Sequence, residues 1–199
     1  MKSGETETAD GGLDLERYRS YLTFLVRLSF DPRLKAKLGL SDIVQDTLVL
    51  AHENLAQFRG SSPAEFTAWL HAVLANHMEN VRRHYYADKR DVRRERPLAE
   101  AISRSSDRLQ DLFLAAGPSP SSVARHQELR VVLAEALWRL PEAQRETVIL
   151  FHFEDRPVSE IARELGRTVP AVTGLLRRGR AGLRRELAAA ISGNGTQRN

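Results

Sequence analysis

PVSEIARELGRTVPAVTGLLRRGRAGLRR, residues 157–185, decides how this chain reads. Ile161, Ala162 and Leu165 are spaced by the three and four residues that gather side chains on one helix face. Gly166 follows where a helix ends in a left-handed residue, and Thr168 stands where a hydroxyl caps the next helix. Pro170 suits a first turn that needs no amide donor. Val169, Val172, Leu176 and Leu183 then continue an apolar stripe, while Arg177, Arg178, Arg180, Arg184 and Arg185 share the other side with no acid among them. Caps, turn, stripe and charge agree on a helix-turn-helix whose second helix enters a DNA major groove. The plainer alternative is an amphipathic helical hairpin with a solvated basic face.

The remaining composition fits a polyanionic partner. A chain of 199 residues with 42% apolar content can build one large or two small cores. Its net charge is only +4, but the sequence pI is about 9.7 and the bases cluster, which favours nucleic acid. No cysteine is present, so disulfides, zinc-thiolate sites and thiol redox sensing are excluded. No apolar run approaches the roughly 20 residues that span a bilayer. The opening MKSGETETADGG is polar and acidic, unlike a signal peptide. A cytoplasmic protein without membrane insertion is expected.

The pattern is helical throughout, and predicts an all-α fold of two small helical domains joined by a flexible linker, the C-terminal one a helix-turn-helix. Residues 1–12 read as a disordered start. Over 13–30, Leu15, Tyr18, Leu22, Leu25 and Leu28 recur at helical spacing until Asp31-Pro32. Ser41 is placed to cap a helix from Asp42 to about Gln57 that buries Val44, Thr47, Leu48, Ala51 and Leu55. Arg59-Gly60-Ser61 predicts a turn. Ser62-Pro63-Ala64-Glu65 predicts a capping box, opening a long helix that buries Phe66, Trp69, Leu70, Val73, His77 and Val81. RRHYYADKRDVRRER, from Arg82 to Arg96, is strongly basic. The first domain is assigned 13–96 and the linker 97–122, where Gly117-Pro118-Ser119-Pro120-Ser121-Ser122 cannot continue a helix. The second domain is assigned 123–190 and opens with a helix from Val123 to Arg139 that Leu140-Pro141 breaks. Residues 191–199 read as a disordered tail.

Two stretches resemble a known family. SDIVQDTLVLAHENLAQFRGSSPAEFTAWLHAVLANHMENVRRHYY is similar to region two of the extracytoplasmic-function RNA polymerase sigma factors, within the sigma-70 superfamily. LPEAQRETVILFHFEDRPVSEIARELGRTVPAVTGLLRRGRAGLRREL resembles their region four. Their order, spacing and size fit a two-domain sigma factor. The resemblance implies an alternative sigma factor that binds core polymerase and directs promoter recognition and transcription initiation. Its region two would bind the clamp helices of the largest polymerase subunit and melt the minus-ten element. Region four would contact the flap of the second-largest subunit and read the minus-thirty-five element. An anti-sigma partner is also implied.

The resemblance distributes roles that the residues can justify. Asp42, Gln45, Asp46, Val49 and Glu53 lie along the outer face of their helix, and would dock the polymerase through steering charge around an apolar centre. For an isolated helix the same residues would simply be a solvated acidic face. Gly60 and Ser61 would let backbone approach an unpaired base, which Asn76 and Asn80 could hold by donor and acceptor. Arg82 and Arg83 would hold phosphates. On the recognition helix, Thr168, Pro170, Ala171, Thr173, Gly174, Arg177 and Arg178 form the DNA set. Many family members carry a base and a small polar residue at the Thr173-Gly174 position, so the promoter is not inferred. Gly174, Gly179 and Gly182 each cost roughly 1 kcal/mol inside a helix, which packing or DNA must offset.

Two other classes compete. A polymerase-independent helix-turn-helix regulator would use the same reading helix but leave the acidic helix and GSSPAEF unexplained. An enzyme is disfavoured, because the histidines form no metal-ligand pair at helical spacing and no phosphate loop occurs. No catalytic residue, metal or cofactor is assigned.

Overall fold

Helix α1 (Arg19–Ser29) organises the packing, and a 3-10 turn at Leu15–Tyr18 leads into it. The computed structural model describes residues 14–29, 38–86, 98–115 and 123–194. The expected stop at Asp31-Pro32, the basic run beyond Tyr86, Gly117–Ser122 and both chain ends lie outside those residues. After α1 come α2 (Leu40–Glu53), α3 (Pro63–Tyr86), α4 (Leu98–Ala115) and α5 (Val123–Arg139). Then follow α6 (Glu142–His152), α7 (Val158–Glu164) and α8 (Val169–Asn194). The fold is all-α: two small helical domains, the second ending in a helix-turn-helix, with no strand among the described residues.

Helices α2, α4 and α5 all lie against α1. It therefore buries Tyr21, Phe24 and Val26 beyond the expected stripe of Tyr18, Leu22 and Leu25. Phe24 meets Phe153 of the second domain edge to face, with ring centroids 4.7 Å apart. Trp138 donates its indole N–H to the Ser20 carbonyl at 2.8 Å, and Arg27 pairs with Glu146 at 2.5 Å. A fully buried large apolar side chain contributes roughly 1.5–3 kcal/mol, while a partly exposed ion pair contributes about 0–1 kcal/mol. The aromatic contacts therefore dominate this joint, and the ion pair fixes its register. The stretch between the domains opens with α4, whose Ile102 is fully buried and whose Arg108 grips the Phe153 carbonyl and Asp155. One apolar cluster runs from Tyr18 to Leu187.

Three expectations shift. Helix α2 starts at Leu40 with Gly39 at its cap, so Ser41 falls inside the first turn. A Cβ on Gly39 would come within 2.6 Å of the Asp42 carboxylate, which folds back over the cap and would have to swing aside for a larger residue there. On α3 the fully buried line is Phe66, Leu70, Leu74 and Met78, whereas Trp69, Val73 and Val81 are half-buried at its edge. The i, i+4 line wins because α3 contacts α2, α4 and α5 rather than one neighbour. Helix α8 continues to Asn194, beyond the residue 190 at which the domain was expected to close.

Candidate promoter-reading and polymerase-docking faces

The turn between α7 and α8 is built by the backbone. Gly166 has φ +60°, and no atom lies within 4 Å of where its Cβ would stand. The left-handed conformation rather than crowding therefore calls for glycine. Arg167 N–H donates to the Ala162 carbonyl at 2.8 Å, and Gly166 N–H to the Arg163 carbonyl at 3.3 Å, closing the C-terminus of α7. Thr168 Oγ1 accepts the Ala171 N–H at 3.3 Å and caps α8. Ile161, Ala162, Val172, Leu176 and Leu183 are buried as the spacing predicts.

Val169 departs from its expected place: it is 47% exposed. It stands in the first turn of α8, at the edge of the stripe that Val172, Leu175 and Leu176 bury. Thr168, Pro170, Thr173, Arg177 and Arg178 are exposed with it, and Ala171 and Gly174 are half-buried. Arg178 lays its guanidinium beside Gly174, 3.3 Å from where a Cβ would stand. Among the described residues no carboxylate pairs with Arg177, Arg178, Arg184 or Arg185. Arg180 is different, donating to His152 Nε2 at 3.2 Å with its guanidinium over the Phe151 ring. Burial and then Arg180 hold His152 below the usual imidazole range, so it accepts as a neutral ring. Gly179 and Gly182 are explained by packing: a Cβ on either would come 2.8 Å from Val148 or 2.6 Å from Leu140. They let α8 seat on α6.

Helix α2 presents the opposite charge. Ile43, Val44, Thr47, Leu48 and Ala51 are buried, while Asp42, Gln45, Asp46, Val49 and Glu53 are all exposed. Val49 is 46% exposed at the centre of that face. Gln45 accepts from Arg19 at 2.8 Å. His77 of α3 stands 3.8 Å from Asp46, but burial lowers its pKa against the pull of that carboxylate. Burial thus weakens the pairing of this ring with Asp46, whose side chain stays largely in solvent.

Between these faces, the capping box forms in full. Ser62 Oγ accepts the Glu65 N–H at 3.2 Å, and Glu65 accepts the Ser61 and Ser62 N–H groups at 2.8 and 3.0 Å. Those bonds, the Ser61 amide first, hold the Glu65 pKa below the ordinary carboxylate range. Gly60 has a structural reason, because a Cβ there would come 2.5 Å from the Phe58 ring. Asn76 and Asn80 are exposed one turn apart.

A family model described as "Sigma-70, region 4" matches residues 130–183. RNA polymerase sigma factor CnrH of Cupriavidus metallidurans is 34% identical over 150 residues, covering 72% of this chain and 71% of the relative. The chain belongs to the extracytoplasmic-function group of RNA polymerase sigma factors. The probable RNA polymerase sigma factor RfaY of Xanthomonas campestris is 31% identical over 150 residues, 73% of this chain but only 33% of that longer protein. The extracytoplasmic-function sigma factor SigW of Bacillus subtilis is 24% identical over 73% of this chain and 74% of its own. This chain is a sigma factor that directs transcription initiation.

Not every site residue expected of the sigma factor is free for its role. Arg82 is held by Glu79 through two bonds of 2.8 and 2.9 Å, and Arg83 lies 3.7 Å from the same carboxylate. The i, i+3 spacing of Glu79 and Arg82 announces that pair, and it halves the positive charge expected at the end of α3. The sequence reading also missed Phe58, which packs on Phe66 and Trp69 with centroids 5.2 and 5.6 Å away. Its aromatic spacing to Phe66 was the only available signal.

Proposed function

We propose that this sigma factor docks on the clamp helices of the largest polymerase subunit through Asp42, Gln45, Asp46, Val49 and Glu53. The observation that carries this reading is Val49, an apolar side chain left in solvent at the centre of an acidic face. Charge steers the approach, and Val49 supplies the desolvated contact. Region two would then occupy 13–96, the connection 97–122 and region four 123–190, with a contact to the flap of the second-largest subunit. Thr168, Pro170, Ala171, Thr173, Gly174, Arg177 and Arg178 read the upstream promoter element. Gly60 shapes the turn, and Ser61, Asn76 and Asn80 hold an unpaired base, with Arg82 and Arg83 as its phosphate neighbours. The chain acts in the cytoplasm without catalysis of its own and is held by an anti-sigma protein. No helix among the described residues is long and apolar enough to cross a membrane.

Run-off transcription by purified core polymerase on fragmented genomic DNA tests this reading. Transcripts that depend on the added chain are expected. Duplex binding without any transcript would instead make it a polymerase-independent regulator. On a promoter so found, changing Ser61→Ala and Asn80→Ala together should spare filter binding yet lower the permanganate reactivity of unpaired thymines. A parallel fall of both signals, or no change in either, would make these residues scaffold. The two signals separate because a captured base contributes only after the stack opens, at about 1.4 kcal/mol per base-pair step.

A further inference from the structure

The tip of α8 keeps only the Thr168 hydroxyl proton and the Thr173 hydroxyl lone pairs to spend on bases. Thr173 Oγ1 donates back to the Val169 carbonyl at 3.0 Å, so its proton points inward. Thr168 Oγ1 is engaged as an acceptor by the Ala171 N–H. Pro170 and Ala171 have no polar side-chain atom, and Gly174 has no side chain at all. What the first turn offers is a methyl-rich surface, and its largest member is Val169. That side chain is absent from the apolar cluster that absorbs Val172, Leu176 and Leu183. Its exposure at the tip of a DNA-reading helix exceeds what folding requires.

A B-DNA major groove displays one apolar group that distinguishes base pairs, the C5-methyl of thymine. We infer that Val169 is a specificity-determining residue of this sigma factor, selecting an A·T pair in the upstream promoter element by packing on a thymine methyl. The inference rests on the reading of α8 as the promoter helix. Charge assigns the occupant: Arg177 and Arg178 follow along the exposed surface of the same helix, Arg177 nearer the side of Val169, without carboxylate partners among the described residues, so a polyanion seats there. Arg177 and Arg178 supply orientation and guanine or phosphate contacts, while the tip sorts sequences by shape and methyl content.

The test uses holoenzyme reconstituted with core polymerase. A duplex library randomised across the upstream element is selected with the parent chain, and the winning duplex is remade with each thymine replaced in turn by deoxyuridine, which lacks only the methyl. One replacement should weaken parent binding about fourfold, the factor that burial of one methyl-sized group carries. Val169→Ala should bind the selected duplex more weakly and be indifferent to that same replacement. Because Val169 lies outside the core, an unchanged thermal midpoint for the variant is expected and confirms a folded comparison. If no replacement affects the parent, or if the variant keeps the parent's sensitivity, the inference is overturned. If the parent enriches no upstream sequence at all, the underlying reading of α8 fails as well, and the two failures are thereby distinct.

Discussion

Val49 on α2 and Val169 on α8 are the two large apolar side chains exposed among the described residues, at 46% and 47%. They stand in opposite company. Around Val49 lie Asp42, Asp46 and Glu53, whereas Val169 heads a helix whose outer side carries Arg177, Arg178, Arg184 and Arg185. The difference teaches a division of labour: an apolar knob provides contact to any partner, and the charge around it chooses which partner arrives. A basic protein surface suits the first and a nucleic acid the second.

The largest expected effect comes from inverting one of these surroundings. Asp46→Arg places like charge in a steered interface and should cost core-polymerase binding several kcal/mol, with duplex binding unchanged. Equal loss on both ligands, measured by polymerase pull-down beside anisotropy on promoter duplex, would break the comparison by showing one shared support rather than two independent faces.

Acid probes that shared support. His71 lies under α1, with the Tyr21 hydroxyl 2.7 Å from its Nε2, and burial together with Arg130 pushes its pKa down from 6.5 to about 4. The unfolded chain therefore binds more protons between those values. The contribution is complete above pH 6.5 and is lost as pH falls towards 4, amounting to about 3 kcal/mol. Urea titrations at pH 7 and pH 4.5 should show that loss, and His71→Gln should flatten the difference between them. An equally steep pH dependence in the variant would assign the acid sensitivity to other groups.

Within the basic face, Arg178→Ala sharpens the distinction between choosing a partner and reading it. If Arg178 contacts a base, promoter binding should weaken by about 1 to 3 kcal/mol at one position of the element. If it contacts phosphate, the loss should be uniform across sequences and the salt slope should shallow by about one unit. Unchanged binding at every salt concentration would remove it from the interface.

The smallest effects separate the two sides of α8. Gly174→Ala should raise stability by up to about 1 kcal/mol, because only the mobile tip of Arg178 approaches the new methyl. Gly179→Ala should lower it by about 1 kcal/mol net, because buried Val148 is 2.8 Å from the new Cβ and has nowhere to move. Thermal unfolding of both variants checks the sign, and a gain at Gly179 would show that α6 and α8 are less tightly seated.

How much of this was legible in the chain depended on how many neighbours each helix has. Helices α2 and α8 bury one side, so most of their stripes were readable from periodicity, Val169 and the half-buried Leu55 of the 3-10 turn after α2 excepted. Helix α1 was legible only in part: Tyr18, Leu22 and Leu25 are buried as their spacing predicts, while packing on three helices also buries Tyr21, Phe24 and Val26 around its circumference. Helix α4 was hidden for a similar reason: Ile102 becomes a core residue only through partners remote in sequence. Val169 fits the three-residue spacing to Val172, and that spacing does not reveal that its side chain stays exposed. The glycines of α8 showed their cost in sequence but not their partners, Val148 and Leu140. The pairing of Arg82 with Glu79 was within reach of helical spacing, and the expectation of free phosphate ligands passed over it.

The joint between Ser20 and Trp138 also has a consequence for how the chain is born. These residues are 118 positions apart, and α1 cannot bury its second side until α5 has left the ribosome. At bacterial and eukaryotic elongation speeds of about 5–20 residues per second, that interval lasts roughly 6–24 s. Throughout it Phe24 and its neighbours present a greasy helix to the cytosol, so nascent α1 is the segment on which chaperone capture during translation should concentrate.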